Sequence, residues 1–230
     1  SAPLFADCTG DANLGAMVNA EYRIGRESKA EFNEPTAPEK ADKMTMGASV
    51  QWYSREDSAP SSFPKFKYHA GFNEESSEKV TMGEWTWETG MNKDQVEEAE
   101  YIRDYGLLVV YSNWSFLKND YSKKEEYANR SLKWVAYIAG KRESRRLIGD
   151  HVLTENDLVD FVEYPDATGS TTWTIDLHYP DPANTLYFAD KEFKSICKMK
   201  KIHPYPIPYR CLYSKNIENM FMAGRNISVT

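Results

Sequence analysis

The side chains best suited to chemistry lie in TTWTIDLHY, residues 171–179. Strict alternation puts Trp173, Ile175, Leu177 and Tyr179 on one face of a predicted strand, and Thr172, Thr174, Asp176 and His178 on the other. A carboxylate two residues from an imidazole suits proton transfer, because it can hold the ring's charge while the ring gives or takes a proton. The same alternation also describes a half-exposed antiparallel strand with a solvated polar face. A second concentration is cationic: Lys141, Arg142, Arg145 and Arg146, with Glu143 among them. Guanidinium groups grip anions with paired N–H bonds. Complementation of a helix dipole and an internal ion-pair network of Glu143 with Arg145 and Arg146 are the competing readings. A third candidate is the opening, where a short apolar run stops at Asp7, Thr9, Gly10 and Asp11 before a predicted helix. A glycine turn feeding a helix lets a phosphate or a polyol approach backbone N–H groups, and it is also a common structural turn. Tyr209 and Arg210 close IHPYPIPYR, residues 202–210, whose alternating prolines predict an extended edge or rigid wall that holds its side chains stiffly.

The element expected to position most of these groups is a long helix over residues 122–149. Ala128, Leu132, Val135 and Ala139 recur at three- and four-residue steps, with Trp134 and Ile138 widening the stripe. Ser122 and Glu125 form a capping-box pattern, and Gly149 stands where a left-handed C-cap would sit. A second helix is predicted over 92–117, with Asn92 and Gln95 at its start, antiparallel to the first. TMGASVQWY (45–53) and VTMGEWTWE (80–88) read as two strands of one sheet, with Trp85 and Trp87 on one face. Residues 54–77 between them read as an insertion or lid, and 26–42 as an exposed connection. Thr154 with Asp157 marks another helix start, and NMFMAGRNI (219–227) reads as a short strand running into Ala223, Gly224 and Arg225.

These elements define an α+β fold: a mixed or mainly antiparallel sheet, built from the stretches near Thr45, Val80, Thr171 and Arg210, covered by the two long helices. With 28 basic and 35 acidic residues the net charge is −7, which gives no global pull toward nucleic acid or anionic lipid. No stretch has the length of apolar sequence needed to cross a bilayer, and the first residues lack the order of a signal peptide, so a soluble chain is expected. Cys8, Cys197 and Cys211 are far apart and not in a Cys-x-x-Cys arrangement, so neither a metal site nor a disulfide framework is indicated.

Several blocks taken together resemble a known family. PLFADCTGD at the start resembles a flavin-contacting motif of flavoproteins with a glutathione-reductase-like FAD-binding domain, and NMFMAGRNIS at the end resembles that fold's second flavin motif. Between them, MTMG, WTWETG, AGKRESRRLIGDHVLT, TIDLHYP and IPYRCLYSKNIENMFMAGRNIS look like characteristic blocks of the FAD-dependent oxidoreductase family, spread over nearly the whole chain. The resemblance implies that residues 1–27 and 214–230 are remnants of an FAD-binding domain and that residues 28–213 are the substrate domain. It also implies that the two ends lie close together. Carried over residue by residue, Asp7, Thr9, Gly10, Asp11, Ala223, Gly224 and Arg225 would approach FAD in the intact protein. His178, as acid or base, with Arg142, Arg145, Tyr209 and Arg210 would face a small-molecule substrate that is anionic or carbohydrate-like. The Gly-x-Gly-x-x-Gly turn that holds an FAD diphosphate is absent from the sequence. The expectation is therefore a fragment, silent alone, that does not retain FAD. The alternative is a non-enzymatic carbohydrate-binding module stacking sugars on Trp52, Trp85, Trp87 and Trp173. A hydrolase with paired carboxylates has less support, since no two acids are singled out.

Overall fold

The computed structural model describes residues 2–66 and 70–230. In chain order the first half contains β1 (Phe5–Asp7), α1 (Asn13–Met17), β2 (Tyr22–Arg23), α2 (Lys29–Phe32), β3 (Trp52–Glu56), α3 (Ala99–Asn119), β4 (Arg130–Val135) and β5 (Arg146–Leu147). There follow α4 (Glu155–Val159), β6 (Ala167–Thr171), β7 (Ile175–Pro180), α5 (Pro182–Phe188), β8 (Ser195–Lys200), β9 (Tyr205–Pro208) and β10 (Met220–Met222). The α+β class holds. The strands, however, form two-stranded pairs and not one covered sheet: β1 with β10, β2 with β5, β3 with β4, β6 with β9 and β7 with β8. The chain divides into two compact units, one of residues 1–46, 142–178 and 197–230, the other of residues 47–141 and 179–196.

The first unit is closed by its ends. Strands β1 and β10 pair in parallel, Phe5 opposite Met220 and Asp7 opposite Met222, so the two terminal motifs lie side by side as expected. Ala12, Ala20, Leu147, Met220 and Met222 form its buried apolar cluster. Helix α4 carries the predicted capping box, with Thr154 and Asp157 exchanging side-chain and backbone hydrogen bonds. The proline-rich segment is extended, as predicted, and β9 pairs antiparallel with β6. The segment 26–42 is pinned at both ends by an Arg26–Asp42 ion pair and backbone bridge, with α2 between them.

The second unit is built on α3. Ile102, Val109, Val110, Trp114 and Leu117 are buried along one helical stripe. Trp52 packs on Trp87 at 5.5 Å and on Trp114 at 5.8 Å between ring centroids, and Trp87 packs on Phe193 at 5.5 Å. The helix exists where the sequence placed it but begins later, because Asp94, and not Asn92, takes the backbone N–H groups of Val96 and Glu97 in a preceding turn. The predicted lid is mostly ordered packing: Phe63, Ala70 and Phe72 lie on the core, and the Phe66 N–H donates to Ser115. Lys67, Tyr68 and His69 of that segment lie outside the described residues.

The long helix over 122–149 is not formed. A 3-10 turn at Lys124–Tyr127 uses the start signal, and the chain then enters β4, which pairs antiparallel with β3. The physical reason is the Lys118 ammonium at the end of α3. It donates to the carbonyls of Tyr127, Ala128 and Arg130 at 2.8, 2.9 and 2.8 Å, oxygens that a continuing helix would need for its own ladder. Trp134 and Ile138, predicted on the apolar stripe, are exposed. Gly149 is required for closeness and not for a C-cap: a Cβ there would lie 2.2 Å from the Arg210 carbonyl oxygen. With no helix there is no dipole for the cationic run to complement. Nor do Trp85 and Trp87 share a strand face, since Trp87 is buried and Trp85 exposed.

Candidate functional site

The opening turn is organised from within by Asp7. Its fully buried carboxylate accepts from the Thr9 N–H at 3.0 Å, the Thr9 hydroxyl at 2.7 Å and the Gly15 N–H at 2.8 Å, so it shapes the turn and the start of α1. Gly10 has φ +76°, and a Cβ there would come 2.4 Å from the Arg225 guanidinium. That guanidinium belongs to the closing motif and bonds Asp11 at 2.6 Å. The Ala223 N–H donates to the Asp7 carbonyl at 3.0 Å, and Asn226 Nδ2 reaches the same oxygen at 3.2 Å. Gly224 lies at φ +94°, also a left-handed conformation, and a Cβ there would meet Asn226 Oδ1 at 3.7 Å. All seven residues assigned to the cofactor side therefore fall at the end of β1 and in the turns that follow β1 and β10.

Residues 142–146 join this turn to the candidate catalytic histidine. Ser144 donates to Asp11 at 2.6 Å, and Arg145 donates to Asn13 at 3.3 Å and lies over the Tyr22 ring. Arg142, two residues before Ser144 and so within about 7 Å of it between Cα atoms, turns to His178 instead. Its Nη1 is 3.1 Å from Nδ1 and 3.0 Å from Nε2 of that ring. Near equality of the two distances makes this a charge contact against the ring, since the two nitrogen lone pairs diverge and one donor cannot point along both. Asp176 Oδ1 lies 3.2 Å from Nε2. The strand predicted over 171–179 is formed only from Ile175 onward, and on its polar face the His178 side chain is covered, only 1% exposed.

Arg146 is structural. Its guanidinium, 5% exposed, meets Glu27 at 2.8 Å, Glu143 at 2.6 Å and the carbonyls of Gly25 and Val229 at 2.8 and 3.1 Å. The internal ion-pair reading therefore holds for Glu143 and Arg146, while Arg145 stands apart from it. Burial pushes the Glu143 carboxyl above the usual range, against the pull of Arg146.

Tyr209 and Arg210 form a separate group. Arg210 makes a two-point contact with Asp166 at 2.9 and 3.1 Å, and its own N–H reaches the same carboxylate at 3.2 Å. That guanidinium holds Asp166 at about 2, well below the usual carboxylate range. Tyr209 stacks near Tyr213 and Phe221 at 5.3 and 6.2 Å. The structure thus brings His178 to Arg142, and Arg145 to the opening turn, while Arg210 is joined to Asp166. Sequence reasoning missed Ser144, Asp166 and Cys197. Cys197 Sγ stands 3.4 Å from His178 Nε2, and only the pairing of β7 with β8 would have revealed it.

The terminal motifs lie side by side, and comparison with known families supplies the class. The family model described as FAD dependent oxidoreductase matches residues 1–230, and the chain belongs to that family. Searches of curated proteins and of solved structures found no match. Family membership implies FAD, and the two turns suit part of it. They present two glycines in left-handed backbone and a half-exposed Arg225, and Asn226 Oδ1 is buried without a partner among the described residues. A small-residue turn beside a cation suits a polyol chain or an anionic edge.

Proposed function

We propose that this chain provides the substrate side of an FAD-dependent oxidoreductase, and that FAD lies along the turns at residues 7–11 and 223–225 with its diphosphate held by residues beyond these 230. The observation that carries the reading is the parallel pairing of β1 with β10, which sets both flavin-type motifs side by side within a chain that matches the family throughout. FAD, when bound, supplies two-electron redox chemistry. The protein's part is to hold the substrate and to handle a proton. His178, buried beside Asp176 and Arg142, is the group that gives or takes that proton. Arg142 and Arg145 orient a substrate that is anionic or rich in hydroxyls, and Tyr209 and Arg210 form a wall on the rigid proline segment. The absence of a Gly-x-Gly-x-x-Gly turn supports the view that this chain alone does not retain the cofactor.

The sugar-stacking alternative gains nothing from the aromatic residues that suggested it, because Trp52 and Trp87 are core residues and only Trp85 and Trp173 are exposed. The cofactor assignment is tested at Arg225. Its ion pair with Asp11 is partly exposed and contributes at most about 1 kcal/mol, so Arg225→Gln keeps the fold and removes the cation beside the turn. In a longer, flavin-binding form of the protein, this substitution is expected to weaken FAD by about tenfold or more. Fluorescence titration measures the affinity and thermal unfolding checks the fold. Unchanged FAD affinity in a folded variant rejects the assignment of this turn.

A further inference from the structure

One side chain beside His178 has no part in the flavin reading. Cys197 is exposed on β8, yet its sulfur is 3.4 Å from Nε2 and 3.8 Å from Nδ1 of His178 on the paired strand. Arg142 approaches the same ring at 3.0 Å, and Asp176 Oδ1 lies 3.2 Å from Nε2. We propose that Cys197 is a reactive thiolate, a covalent modification site for low-molecular-weight disulfides, activated by His178 and Arg142.

The thiolate, and not the thiol, is the nucleophile, and cationic neighbours at a partly exposed position favour it. Imidazolium and guanidinium supply the positive charge, and the exposed position of Cys197 supplies access. Asp176 brings a carboxylate to the same ring: its Oδ1 is buried and lies 3.2 Å from Nε2, where it complements an imidazolium. Counted together, thiolate and carboxylate balance imidazolium and guanidinium. Lys198, the next residue on β8, projects from the opposite face of the strand. Cys8 is exposed outside this cluster, and burial pushes the Cys211 thiol up to about 11.

The same three residues can also be read as metal ligands, because the Asp176, His178 and Cys197 atoms lie within 4.8 Å of one another. Charge weighs against that reading, since a divalent ion in place of the imidazolium proton would leave the otherwise balanced set with an excess positive charge beside the Arg142 guanidinium. In the thiolate reading, Sγ attacks one sulfur of the disulfide, a new S–S bond forms as the old one breaks, and the electron pair leaves with the second sulfur. That departing thiolate takes its proton from the His178 imidazolium or from solvent. The disulfide is reduced at one sulfur and Cys197 becomes oxidised, so no further oxidant is needed.

The test uses the protein without flavin, so it is independent of the cofactor assignment. Dithiodipyridine is added over a range of pH, and the modified cysteines are quantified by peptide mass spectrometry, with Cys8 as the comparison within the same chain. An ordinary thiol titrates at about 8.5 and is almost wholly protonated at about pH 6. The expected result is that Cys197 reacts about tenfold or more faster than Cys8 at that pH, with a rate nearly flat above it. Arg142→Gln and His178→Gln are each expected to restore an ordinary, steeply rising pH profile, and Arg142→Gln keeps the test valid if loss of the buried ring perturbs folding. Equal rates and parallel profiles for Cys197 and Cys8 overturn the proposal. So does stoichiometric zinc retained after gel filtration that shields Cys197, which would make the cluster a metal site.

Discussion

Replacing Arg146 by methionine is expected to cost about 3–5 kcal/mol of folding stability, because removing one partner of a buried ion pair leaves the others uncompensated. The aliphatic stem is preserved, so the loss isolates the guanidinium. Glu143 would then lose its cation, Glu27 would keep only the longer contact with Arg23 at 3.6 Å, and the carbonyls of Gly25 and Val229 would lose their donor. Urea unfolding measures the cost, and pH gives its signature. Glu143 already has its carboxyl raised by burial, and without Arg146 it rises further. A folded-state carboxyl above its unfolded value binds its proton more tightly when folded, so it adds stability as pH falls through its folded value. The variant should therefore recover part of its loss as pH falls from neutral through the raised folded-state value of Glu143, where the parent does not gain to the same extent. A loss below about 1 kcal/mol would mean that the network is solvated and that residues 142–146 are not anchored by it.

The second large effect is expected at Trp114, which is fully buried and sits edge-on to Trp52 at 5.8 Å and to Tyr127 at 6.0 Å. Trp114→Ala should cost about 3–5 kcal/mol through lost transfer energy and the cavity left behind. Trp114→Phe should cost distinctly less. It keeps an aromatic ring against Trp52 and removes an indole N–H that is buried without a partner among the described residues. Near-ultraviolet circular dichroism during thermal unfolding reports both. Equal losses for the two variants would show that the volume of the second ring, and not the packing of the first, dominates this core.

The sequence was most legible where a signal is local. The capping box at Thr154, the extended proline segment and the short terminal strand each depend on residues within a few positions of one another, and each is formed. It misled where a local pattern fitted two periods. Leu132, Val135 and Ala139 suit a helical stripe, yet Lys118 takes three carbonyls from the turn before them, and that side chain lies outside any window that scores periodicity. The terminal motifs were found through their joint resemblance to a family, since neither turn is distinctive alone, and the pairing of β1 with β10 gives that resemblance its geometry. Alternation picks out His178 but leaves its face open between a catalytic and a solvated one, because the side chain that covers it, Arg142, comes from a segment 36 residues earlier. Cys197 carried no signal of its own. It acquires chemistry only from the pairing of its strand with β7, a contact between residues 19 apart.

The central claim is that these 230 residues form the substrate side of a flavoenzyme whose diphosphate cradle lies elsewhere. The direct measurement is FAD titration, followed by flavin fluorescence, of this chain beside a form extended in both directions. Binding by the extended form alone is the predicted result. Binding by neither would contradict the flavin assignment of the two terminal turns, and tight binding by the 230-residue chain itself would contradict the placement of the diphosphate outside it.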